Sequence, residues 1–187
     1  LLNIIIALVL IGLFWTIYEI GYNRIIDLEM KFTQLSTLQI PASMLYMLSS
    51  LFVLPIGIIA AILWSFYYSS QFVKLTIGFI AAALSYAVLL FIPDVPADQH
   101  LLFYLFSFLL MGIAEIHVSP IIYSVLTRYS NPKYLAIIMS LSFVPIKLFG
   151  FLASFFNSGF RSNPMYAVIL ALISMTAIGI ALWIYQL

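Results

Sequence analysis

Apolar residues run almost unbroken through six stretches of the chain, at 1–22, 40–66, 72–92, 101–126, 134–156 and 164–187. Each is long enough for an α-helix to cross a bilayer core, which takes about 20 mainly apolar residues. Polar residues collect between the stretches. The alternating strands of a membrane β-barrel are missing, so the pattern predicts an all-α integral membrane protein of six transmembrane helices. Proline marks the boundaries. Ile40-Pro41, Asn131-Pro132 and Asn163-Pro164 each place Pro in a first helical turn, where its missing N–H does no harm. Pro93-Asp94-Val95-Pro96 closes the third stretch. Pro55, Pro120 and Pro145 fall inside stretches, where kinks are expected. Residues 67–71 and 127–133 suit tight turns. The segment 23–39 holds Arg24, Asp27, Glu29 and Lys31, and the first helix is expected to run into it before a solvated turn.

Composition sharpens this picture. Only 7% of the 187 residues are charged and 65% are hydrophobic, whereas soluble domains average about 25% charged. Seven Lys+Arg against six Asp+Glu give a net charge of +1 and no basic face, which excludes nucleic-acid binding. Cysteine is absent, so disulfides, thiolate metal sites and Cys nucleophiles are excluded. No His-Glu-x-x-His, Gly-x-Ser-x-Gly or glycine-rich phosphate loop occurs, and no catalytic residue, metal or cofactor is expected. The chain is apolar from Leu1, with no cationic stretch before the run and no cleavage site after it. It therefore reads as a piece of a longer protein rather than a signal peptide. Six spans place both ends on one side. Lys74, Arg128 and Lys133 fall in turns on that side and Arg24, Lys31 and Arg161 on the other, a balance from which the positive-inside rule gives no orientation.

Three ionisable side chains remain inside spans: Glu19, Glu115 and Lys147. A charge at the bilayer centre costs at least ~2.5 kcal/mol, which makes each a functional candidate. Trp15 lies four residues before Glu19 and shares its helix face. Gly112, Glu115 and Ser119 form a strip that Tyr123 continues, and Ser140, Phe143, Lys147, Gly150 and Ser154 form another. Small and polar residues also serve close helix packing, but packing does not account for the charges. A cavity lined by two acids, one base and aromatic rings suits a small zwitterion with an apolar portion. His117 faces away from Glu115 and is expected to bond a neighbouring helix.

The acids Glu19 and Glu115 occupy spans one and four, the first helix of each three-helix set, as in the inverted repeats of major facilitator transporters. Phe14-Trp15-Thr16-Ile17-Tyr18-Glu19, Ile40-Pro41-Ala42-Ser43-Met44-Leu45 with Leu63-Trp64, and Glu115-Ile116-His117-Val118-Ser119-Pro120 follow in order, with Met139 and Phe143 beyond. In that order they resemble segments of the seventh, eighth, tenth and eleventh helices of the proton-dependent oligopeptide transporter family. Glu-x-x-x-Ser-Pro is the most specific of these. The resemblance implies the C-terminal six-helix half of a major-facilitator-type bundle in the plasma (cell inner) membrane, importing di- and tripeptides with protons. It implies an N-terminal six-helix half upstream and both ends on the cytoplasmic side. By position, Glu115 would hold the peptide amino group and Glu19 would couple protons beside Trp15. Trp15, Ser49, Ser119 and Phe143 would complete the peptide site, and Lys147, which has no counterpart in the family, joins these candidates through its intramembrane charge. Ile20, Ser49-Ser50 and Ser142 stand where the family carries Gln, Asn-Pro and Trp. Two alternatives remain open: a degenerate or truncated six-helix membrane protein without transport, and a same-fold carrier of amino acids or another small solute.

Overall fold

The computed structural model describes residues 2–35, 42–67 and 69–186, with side chains over 2–34, 47, 53–67 and 69–185. The described residues form eight α-helices: α1 (Leu2–Leu35), α2 (Ala42–Phe66), α3 (Gln71–Leu89), α4 (Leu101–Tyr129), α5 (Leu135–Leu141), α6 (Phe143–Ser154), α7 (Asn157–Ser162) and α8 (Pro164–Gln186). Single 3-10 turns at Asp98–His100 and Pro132–Tyr134 lead into α4 and α5. Five helical stretches are long and apolar enough to cross a membrane: Leu2–Gln34, Gln71–Leu89, Asp98–Tyr129, Pro132–Ser154 and Pro164–Tyr185. Val53–Phe66 of α2 is apolar as well. This is a multi-pass helical membrane bundle.

One sequence expectation needs correction. The charges after Tyr22 do not lie in a solvated turn, because α1 continues through them to Leu35. No Gly or Pro interrupts the segment, and its charges pair along the helix. Arg24 Nη1 donates to Asp27 Oδ2 at 2.8 Å, and Lys31 Nζ to the same oxygen at 2.9 Å. Arg24 is buried. Its guanidinium also reaches Asp94 Oδ1 at 2.9 Å and the Ile92 carbonyl at 2.9 Å, which ties α1 to the chain leaving α3. The prolines inside the spans behave differently from one another. Pro55 and Pro120 sit within continuous helices. Pro145 instead accompanies a break between α5 and α6, since its ring collides with the carbonyl four residues earlier, at Leu141. The Ser142 hydroxyl and N–H both donate to the Met139 carbonyl there, at 2.6 and 3.2 Å.

The main packing pairs are α3 with α4 and α8, α1 with α6, α8 and α4, and α2 with α4. Exchanging the set α1–α2–α3 with the set α4–(α5, α6)–α8 maps this list onto itself: α1 on α6 becomes α4 on α2, and α1 on α8 becomes α4 on α3. The pattern is that of two interlocked three-helix units. Among the described residues the buried apolar cluster is drawn from α1, α3, α4 and α8 together with Ile92. α2 and α5–α6 flank it. In the most apolar 18 residues of the Pro132–Ser154 stretch just 6% are buried, against 56% in those of Gln71–Leu89, so one broad side of the bundle is uncovered. α6 nonetheless approaches α1 closely at Gly12, where a Cβ would stand 2.6 Å from Pro145 Cβ.

Candidate solute-binding residues

Glu115 lies in the middle of α4 and is half-buried. The Tyr18 phenol, brought across from α1, lies beside its carboxylate. Tyr86 of α3 completes the cluster: it is fully buried, and its hydroxyl donates to the Tyr18 carbonyl at 3.3 Å. Tyr86 enters this position because residue 21 is glycine. A Cβ on Gly21 would lie 2.3 Å from Tyr86 Cε1. Along α1, Tyr18 belongs to an aromatic ladder, with Trp15 at 5.4 Å edge-on and Tyr22 stacked at 5.8 Å.

No ion pair reaches Glu115 among the described residues. The pairs present there are Arg24–Asp27, Arg24–Asp94 and Lys31–Asp27. A carboxylate within a membrane bundle, supported by a phenol and without a cation, holds its charge poorly. A proton, or the ammonium of a bound molecule, would supply the missing partner.

Glu19 is exposed and lines a cleft of about 200 Å³ with Asn23, Gly150, Ser154, Asn157 and Arg161. Its Oε2 stands 3.6 Å from where a Gly150 Cβ would be. An acid, a base and two amides thus share one concavity. Neither Glu115 nor Lys147 belongs to its walls. The base that accompanies Glu19 is Arg161, not Lys147, which lies exposed on α6. The three intramembrane charges are therefore not gathered into one cleft.

The other sequence candidates fall as follows. Trp15 is half-buried and packs edge-on to Phe14 and Tyr18. Ser119 is half-buried one turn from Glu115, and its Oγ is buried without a hydrogen-bond partner among the described residues. Phe143 is exposed one turn before Lys147. The side chain of Ser49 lies outside the described residues. Tyr18, Tyr86 and Arg161 did not stand out in the sequence: two tyrosines among 12 carry no signal, and Arg161 reads as a loop cation. A Tyr one residue from an intramembrane Glu was the available hint.

His117 bonds a neighbouring helix, as its position suggests. Its Nε2 accepts from Trp64 Nε1 of α2 at 3.0 Å, and its Nδ1 lies 2.7 Å from the Ile113 carbonyl. With both ring nitrogens engaged, it is a helix fastener rather than part of the Glu115 cluster.

No family model, curated protein or solved structure matches the chain.

Proposed function

We propose that the chain is the C-terminal half of a proton-coupled carrier of small zwitterionic solutes, with di- and tripeptides as the substrate class. The observation that carries this reading is Glu115: a half-buried carboxylate at mid-helix, beside the Tyr18 phenol, in no ion pair among the described residues. Such a group alternates between taking a proton and taking a substrate ammonium, which is the elementary exchange of a proton symporter. The exchange symmetry of the helix packing supports the reading, since three-helix units of inverted topology build each six-helix half of major facilitator carriers. So does the uncovered side along α5–α6, which suits a facing N-terminal half. Glu19, in its cleft with Arg161, stands where protons and the charged ends of a zwitterion meet. Residency in the cell inner membrane with six spans follows from the same reading.

The test is proton-driven uptake by the full-length protein in vesicles, against a peptide panel. Losing the charge in Glu115→Gln removes one member of a desolvated pair, a loss of about 2–5 kcal/mol or roughly 30- to 4,000-fold in affinity. Peptides with a free amino terminus should weaken by that factor. N-acetylated peptides should bind the wild type poorly and respond little to the change. Equal losses for both, or uptake indifferent to the proton gradient, would overturn the proposal.

A further inference from the structure

The end of α2, the start of α3 and the end of α4 converge on a polar cavity of about 280 Å³. Its charged walls are Lys74 and Arg128; Trp64, Ser69, Ser70 and Tyr129 lie around them, and no acid takes part. Neither cation forms an ion pair among the described residues. Each lies over an aromatic ring instead, Lys74 Nζ at 4.7 Å from the Trp64 centroid and Arg128 Cζ at 5.8 Å from that of Tyr129. Trp and Tyr beside cations at helix ends mark the level of a membrane interface.

A second concavity, of about 340 Å³, meets the first at Trp64. It is an apolar groove between α2 and α4, lined by Ile56, Ile59, Leu63, Leu109 and Ile113. The shared indole is fixed in place by its hydrogen bond to His117. A cationic pocket at the interface, sharing Trp64 with an apolar groove running toward the bilayer centre, has the polarity of one kind of molecule. We propose that this paired site binds an anionic phospholipid, its phosphate between Lys74 and Arg128 and an acyl chain along the α2–α4 groove. Charge complementarity decides the headgroup: two uncompensated cations favour an anionic head over a zwitterionic one. The apolar groove decides for a lipid over a soluble anion, and the positive end of the α3 dipole adds to the attraction.

The experiment is native mass spectrometry of the full chain in detergent, titrated with phosphatidylglycerol or with phosphatidylcholine of the same acyl chains. The wild type should retain phosphatidylglycerol preferentially. The double variant Lys74→Gln/Arg128→Gln should lose about 30-fold in phosphatidylglycerol affinity and fall to the phosphatidylcholine level. Lys74→Arg/Arg128→Lys, which keeps both charges, should retain the preference and so exclude misfolding as the cause. Phosphatidylglycerol brominated on its acyl chains should quench the part of the fluorescence that Trp64→Phe removes. Equal retention of the two lipids, an unaffected double variant, or no quenching of that part would each overturn the proposal. Displacement of the lipid by millimolar inorganic phosphate would overturn it too, in favour of a soluble anion. A second copy of the chain retained at the groove in place of lipid would do the same.

Discussion

Arg24 enters the bundle with a full charge, and its surroundings answer with two carboxylates and the carbonyls of Ile92 and Pro93. Replacing it by Met strands those carbonyls and leaves Asp94 without this partner. Arg24→Met should destabilise the protein by about 3 kcal/mol in thermal unfolding in detergent. Asp94→Asn should cost under ~1 kcal/mol, because the Asp94 side chain is 76% exposed and solvent already screens it. A large loss for Asp94→Asn and a small one for Arg24→Met would reverse this account. His117 permits a finer prediction. The Ile113 carbonyl can only accept, so Nδ1 carries the hydrogen, and the Trp64 N–H leaves Nε2 as the acceptor. Nitrogen-15 NMR of labelled protein should therefore report the neutral Nδ1–H tautomer. A proton on Nε2 would mean that the Trp64 bond is not made. None of these pairings is visible in sequence, where Arg24 is 70 residues from Asp94 and Trp64 is 53 from His117.

At the scale of the helix, contact between α1 and α6 depends on Gly12. Its missing Cβ lets Pro145 approach, with the Pro145 backbone carbon 2.9 Å from where a Cβ would be. Backbone cannot swing aside as a side chain can, so Gly12→Ala should push the helices apart and destabilise by about 1–3 kcal/mol. Gly159→Ala in α7 is the control: nothing lies within 4 Å of the added atom, and the change should be neutral or slightly stabilising. Equal effects in a thermal melt would show that α6 is not seated on α1. The helices themselves were legible, because a run of about 20 apolar residues has few other uses. The break at Leu141/Ser142 was legible only as a kink at Pro145. Which faces meet was hardly legible at all. Helices apolar on every side carry no amphipathic stripe to mark the buried face, so Glu115 could be named as a candidate while its Tyr18 and Tyr86 partners could not.

At the scale of the whole molecule, the crossing pattern has a direct test. The chain has no cysteine, so each introduced one reports alone. Lys133→Cys sits in the link between α4 and α5, and Ser158→Cys in α7 before α8; both positions are exposed. With one membrane crossing between them, they should label from opposite faces with an impermeant maleimide. Labelling from the same face would refute the bundle topology and, with it, the two interlocked units.

That interlocking governs how the protein is made. Among the described residues the main helix contacts run between the two units rather than within either. During synthesis α1, α2 and α3 therefore leave the translocon with few of their final neighbours, and α8, a major partner of both α1 and α3, emerges after all the other described helices. A ribosome that stops before residue 164 releases a chain whose first and third helices still face lipid where α8 belongs. Membrane quality control meets these two helices without a main partner until α8 is in place, so chains that stop before residue 164 should be degraded far faster than chains that include α8.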